Sequence, residues 1–232
     1  MKYYNTLPTV GIGAIGENNG SGAVHVYNFL SLRPNITVTP SGENVKNFGL
    51  AQAFSPVNGL GFLGVSYQQN GTGKVKIYKE SSANKSDYSD FQELSGIEGH
   101  SGDGFGASMF GLEGKLMIGS PNVGTSGKVY YYSYNSTTAT FDLIQTITSS
   151  DLGPGDHFGK SVAFGTGTAA ITSDSNEGKG YIYNLGSDGQ WGEVSTVTGS
   201  LGAVSGGFGG APSGSQSIVV DENRIIIGTS GE

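Results

Sequence analysis

Apolar and polar side chains alternate one for one along several short stretches. Gly22 to Asn28 reads Gly-Ala-Val-His-Val-Tyr-Asn, and Gly73 to Lys79 reads Gly-Lys-Val-Lys-Ile-Tyr-Lys. Gly127 to Ser133 reads Gly-Lys-Val-Tyr-Tyr-Tyr-Ser, and Gly180 to Asn184 reads Gly-Tyr-Ile-Tyr-Asn. A period of two belongs to a half-buried strand, whereas a helix would repeat every 3.6 residues. Val24 and Val26 therefore share one face, and His25 points to the other.

These strands recur in a fixed context. Phe-Gly stands at Phe48-Gly49, Phe105-Gly106, Phe158-Gly159 and Phe208-Gly209, at steps of 57, 53 and 50 residues. A second mark follows each at Leu63-Gly64, Ile118-Gly119, Ile171-Thr172 and Ile227-Gly228, with an earlier copy at Ile12-Gly13. The Gly-plus-alternating strand is the third mark. A weaker apolar piece closes each unit, at 36–38, 91–94, 141–148 and 191–198. Each unit thus has about fifty residues and four strand-like pieces. Self-similarity at this period, with four short strands per repeat, predicts the blades of a β-propeller. A blade cannot bury both faces alone, so blades must pack side by side. The Phe is expected to lie between blades, and the Gly to let the backbone turn or approach closely.

The stretches 155–163 (Gly-Asp-His-Phe-Gly-Lys-Ser-Val-Ala) and 102–108 (Gly-Asp-Gly-Phe-Gly-Ala-Ser) resemble the opening of an FG-GAP repeat. Ile118-Gly119-Ser120-Pro121 followed by Gly127-Lys128-Val129-Tyr130 resembles its second half. The resemblance spans nearly the whole chain. It implies the propeller of the integrin α-subunit head and of bacterial surface proteins, and a role in binding protein or glycan. Many family members carry an Asp-x-Asp-x-Asp-Gly calcium loop. Here the corresponding connections (55–59, 111–114, 165–167 and 221–223) never supply three carboxylates, and a hard cation needs several oxygens in one short loop. No structural calcium and no cofactor are expected.

Composition agrees with many strands and tight turns. The chain has 232 residues, with 41 Gly, 12 Tyr, 11 Phe and 35% hydrophobic residues. That is too apolar for a disordered chain and too rich in glycine for a helical one. The net charge of −7 and the presence of only two arginines, Arg33 and Arg224, argue against nucleic acid and acidic membrane surfaces as partners. Without cysteine there are no disulfides, thiolate metal sites or thiol nucleophiles. No apolar run reaches the roughly 20 residues that span a bilayer, so membrane insertion is not expected. The first thirteen residues lack the apolar core of a signal peptide.

Chemistry-bearing motifs are sparse. No Gly-x-Ser-x-Gly elbow and no His-Glu-x-x-His occurs, and Gly207 to Gly210 lacks the lysine and helix of a phosphate cradle. The chain is read as non-catalytic. Asp103 and Asp156, two residues before Phe, are expected to bond nearby amides in a turn. Trp191 is expected to anchor a fourth strand. In the 130–134 tyrosine run, alternate rings should fill a blade interface and the others cover a solvent face. A sugar-stacking surface is the second reading of that run. Asn-x-Ser/Thr sequons stand at Asn19, Asn35, Asn70, Asn84 and Asn135.

The predicted architecture is all-β: a single domain over 1–232, a propeller of four-stranded antiparallel blades with about four to five blades. Its units run approximately 1–43 (partial), 44–100, 101–153, 154–203 and 204–232 (partial). Three explanations cover the incomplete units. The chain is part of a larger propeller, a small ring closed by pairing Ser217–Gly228 with Thr9–Tyr27, or a subunit exchanging strands between molecules. The leading function is an extracellular or surface-exposed module that binds protein or glycan through loops on one rim. Its contacts are Glu17, Asn18, Asn19, Gln68, Asn70, Asn122, Asp174, Asn176 and Glu177. The alternative is a structural subunit of a filament, sheath or virion that self-associates through its terminal strands.

Overall fold

The computed structural model describes residues 9–28, 36–83, 87–174, 178–198, 218–221 and 224–228. Every regular element among them is a strand, apart from one short 3-10 turn at Asn18–Gly20. The first sheet has three strands, β1 (Thr9–Gly13), β2 (Val24–Asn28) and β3 (Ile36–Val38), in that order. In the second sheet the inner strand is split into β4 (Val45–Lys46) and β5 (Gln52–Phe54). Both pieces pair with β6 (Phe62–Gln69), which pairs with β7 (Thr72–Glu80) and that with β8 (Tyr88–Ser95). The third sheet runs β9 (Ser108–Leu112), β10 (Lys115–Ser120), β11 (Lys128–Asn135), β12 (Thr140–Ile147). The fourth runs β13 (Ser161–Phe164), β14 (Thr168–Ser173), β15 (Lys179–Leu185), β16 (Trp191–Thr198). A hairpin of β17 (Ile218–Asp221) and β18 (Arg224–Ile227) follows.

All pairings between these strands are antiparallel, in the meander order expected of propeller blades. The chain is all-β and propeller-like. Among the described residues no sheet closes on another: β1 pairs with β2, and β17 with β18, so the ring closure through terminal strands that was one of the three explanations is not formed among them. Phe208 and Gly209 lie outside the described residues.

Hydrogen bonds fix which positions are equivalent. The amides of Gly49, Gly106 and Gly159 donate to the carbonyls of Ser66, Gly119 and Thr172 at 2.9, 3.0 and 3.0 Å. The second-strand mark of the second unit is therefore Val65-Ser66, two residues beyond the expected Leu63-Gly64. A shift of two keeps the same face of a strand, which is why the alternation concealed it. Ser66 and Thr172 also receive the amides of Ala51 and Ser161 on their hydroxyl oxygens. Gln52, Met109, Val162 and Ile218 pair with Val65, Ile118, Ile171 and Ile227. The first three stand four residues after their Phe, but Ile218 stands ten after Phe208, so the last unit departs from the spacing of the others.

The core lies between sheets. Val24, Val26 and Val38 of the first sheet pack with Phe48, Leu63, Val65 and Tyr67 of the second. Val75, Ile77 and Leu94 on the opposite face of the second sheet meet Phe105, Leu116, Ile118 and Tyr130 of the third. Met117, Val129, Tyr131 and Ile147 meet Phe158, Val162, Ile171 and Tyr181 of the fourth. Tyr130, Tyr131 and Tyr132 are all buried, because both faces of β11 are covered by neighbouring sheets. The expectation that alternate tyrosines cover a solvent face is corrected on this point, and no sugar-stacking surface forms there. Trp191 is buried edge-on to Tyr131, at 5.7 Å and 84° between rings, as the fourth-strand anchor.

Phe48, Phe105 and Phe158 are buried between sheets, and their backbone makes a latch. Phe48 N–H donates to Ser21 O at 3.0 Å and Phe158 N–H to Ser126 O at 2.8 Å, in parallel bridges Gly22–Phe48 and Gly127–Phe158. A Cβ at Gly22, Gly73 or Gly127 would lie 2.3 Å from the carbonyl oxygen of Phe48, Phe105 or Phe158. Only glycine admits that approach, so Gly22, Gly73 and Gly127 each form one joint with the Phe of the next unit.

Candidate functional site

The rim is built by connections of the same type. The segments β1–β2, β6–β7, β10–β11 and β14–β15 each join a second strand to a third, so all four emerge at one end of their sheets. The segments that open units emerge there too, and backbone bonds tie the two sets together. Gly102 N–H donates to Gly71 O at 3.1 Å and Gly155 N–H to Thr125 O at 2.7 Å, joining one unit to the next. Asn122 N–H donates to Asp103 O and Asp174 N–H to Asp156 O, both at 3.1 Å, within a unit. These bonds make a continuous belt and satisfy backbone groups that short loops would otherwise leave to water.

The predicted contacts fall on this belt as follows. Glu17 accepts from His25 Nε2 at 2.9 Å, and His25 Nδ1 lies 3.0 Å from Thr37 Oγ1. Asn18 and Asn19 are left-handed, at φ 51° and 58°, and the Asn18 amide donates to Gly22 O at 3.0 Å. Gln68 belongs to β6 itself, where its side-chain oxygen accepts from Asn47 at 3.4 Å. The loop there is only Asn70-Gly71, both with positive φ, which is the two-residue hairpin turn that Asn-Gly favours. The Asn122 side chain donates to Gly102 O at 3.0 Å. Asn176 and Glu177 lie outside the described residues.

Asp174 is the most heavily engaged of the set. Its oxygens meet His157 Nδ1 at 2.6 Å and Lys160 Nζ at 2.8 Å. Burial alone would raise its carboxyl, but Lys160 and His157 outweigh burial and hold it below the ordinary carboxylate range. Asp103 and Asp156 act as turn residues: the first accepts from His100 N–H at 3.0 Å and the second from Gly153 N–H at 2.7 Å. The sequence reading missed that each histidine of the chain faces a carboxylate here, His25 on Glu17, His100 on Asp103 at 3.9 Å and His157 on Asp174. Only the His100–Asp103 spacing of three residues was visible; the others join groups 8 and 17 residues apart, through connections between strands.

Asn44, Lys46, Gln68, Asn70 and Gly71 line an open depression on this rim. Beside it, a small cleft of about 40 Å³ separates Asn47, Tyr67 and Gln68 from Gly104–Ala107 of the next unit. The depression is lined by amides, one lysine and backbone, whereas the cleft is also lined by Leu50, Tyr67, Phe105 and Ala107. Among the described residues no three His, Asp or Glu side chains gather to hold a metal ion. No helix among them is long and apolar enough to cross a membrane. Amides and backbone groups of the depression offer matched donors and acceptors for hydroxyl or peptide groups.

No protein-family model matches the chain, and no curated protein does. Among solved structures, Saccharomyces cerevisiae Sqt1 is similar over 85% of this chain, at 17% identity and a TM-score of 0.48. The chain spans about half of that protein, 46% of its length.

Proposed function

We propose that the chain is a non-catalytic interaction module of the FG-GAP type, with about four to five blades, exposed at a cell or virion surface. It binds a protein or glycan through the rim formed by its second-to-third-strand connections. The observation that carries this reading is the belt itself. Its loops are tied to one another by backbone hydrogen bonds, and it presents the amide-lined depression of Asn44, Lys46, Gln68 and Asn70. A pre-ordered polar surface of this kind loses little conformational freedom on binding. Protein and glycan ligands share the chemistry such a surface reads, hydroxyls and amides in fixed positions.

The test is a glycan array and a photo-crosslinking experiment run in parallel. Because the chain has no cysteine, Asn70→Cys carries a photo-crosslinker at one defined place. Specific array binding, or a crosslink confined to one partner, should weaken at least tenfold in Asn44→Ala/Gln68→Ala. Binding that is unchanged in that variant would move the site away from this rim.

A further inference from the structure

Each internal interface joins the following-side face of one sheet to the preceding-side face of the next. On the preceding side, the second strands carry Leu116 and Ile118 in the third sheet and Ala169 and Ile171 in the fourth, all fully buried. The positions equivalent to Leu116 and Ile118 in the first sheet are Val10 and Ile12, and these are 49% and 52% exposed. They pair with Tyr27 and His25, which places all four on one face. On the following side, Ala163 and Ala170 of the fourth sheet are fully buried under Ile218 of the hairpin. Their equivalents in the hairpin, Val219 and Ile226, are 58% and 62% exposed and paired with each other.

We infer that these two faces are the halves of one interface, and that they meet head to tail between copies of this chain. The internal interfaces say what each exposed face fits: a sheet of the same repeat presenting the opposite face. β-branched apolar side chains at half exposure on both faces supply the burial that drives such contact. The contact is heterologous, because each copy offers different residues at its two ends. It therefore propagates, closing into a ring or extending as a filament according to the rotation between copies. This goes beyond the rim reading and leaves the rim free, since the interface uses sheet faces.

Light scattering of the whole chain over a wide concentration range tests it, with circular dichroism to confirm that each variant folds. The average mass of the unmodified chain should climb above the monomer's 23.9 kDa as concentration rises. Val10→Lys/Ile12→Lys and Val219→Lys/Ile226→Lys should each be monomeric alone, since lysine at an exposed strand position disturbs only the contact. Mixed in equal amounts, they should form a dimer and stop there, because each retains the face the other lacks. An unmodified chain that stays monomeric at every concentration would overturn the inference, as would association that survives both variants or a mixture that stays monomeric.

Discussion

At the residue scale the glycines do two separable jobs. Gly127 has φ +89° and faces the Phe158 carbonyl at a distance no Cβ tolerates, whereas Gly124 has φ +65° and faces open space. Both positions strain an alanine backbone, but only Gly127 adds a collision with the neighbouring sheet. Gly124→Ala should cost about 1 kcal/mol from backbone strain alone, and Gly127→Ala about 3 kcal/mol once the joint must open. Urea unfolding of the two variants measures the difference; equal losses would mean that the close approach contributes nothing. The same contrast explains which residues the sequence could reveal. Phe48, Phe105 and Phe158 announce themselves by repetition, and their burial follows from being large and apolar. Gly22, Gly73 and Gly127 also repeat, yet their partners lie in the next unit, and no local pattern names a partner.

Among elements, strands with period-two alternation were legible, and the outer strands β8, β12 and β16 were marked more weakly by the apolar pieces at 91–94, 141–148 and 191–198. Their bulges were not. Pairing shifts at Ile77/Tyr78, Tyr131/Tyr132 and Ile182/Tyr183, equivalent places in three sheets. An extra residue there re-aims the outer strand without changing the alternation of the inner ones, so the sequence carries no mark of it. The rim connections were legible as strand-to-strand loops because each joins the same two strands, although Gln68 lies in β6 itself. Their internal contacts were not legible, since Asp174, after β14, meets His157 and Lys160 of the connection before β13. That cluster has a measurable consequence. Its folded carboxyl sits below the ordinary Asp value of 3.8, so it stabilises the fold above about pH 4, and that contribution fades as pH falls through the lowered value. The stability gap between the unmodified chain and Asp174→Asn should be constant, at about 1 kcal/mol, from pH 7 to pH 5. Below about pH 4 it should close. A gap independent of pH down to 3 would show that the aspartate acts as a packing group only.

For the whole molecule, the repeat predicted the order of sheets and their antiparallel meander, and both are present. What it did not give is the departure of the last unit, where Ile218 lies ten residues beyond Phe208 while its equivalents lie four beyond theirs. A repeat read from marks assumes constant spacing, and only the pairing of Ile218 with Ile227 shows the insertion. The marks located the joints, and so they also located the faces that joints would cover. The exposed Val10, Ile12, Val219 and Ile226 are conspicuous only because their counterparts elsewhere are buried.

Gly–Phe joints link the first sheet to the second, the second to the third and the third to the fourth, so this part of the molecule is mechanically a series of panels connected by hinges of one kind. Pulled from its two ends, it should yield panel by panel, each rupture releasing one repeat of slack. With repeats averaging about 53 residues, each step should lengthen the tether by about 180 Å. A force-extension trace with regular increments of that size would mark each joint as an independent break point, and one long rupture would mean that the panels fail together. Weakening one joint with Gly127→Ala should lower the force of a single step and leave the other steps as they were, which makes the glycine a means of setting the order in which the panels open.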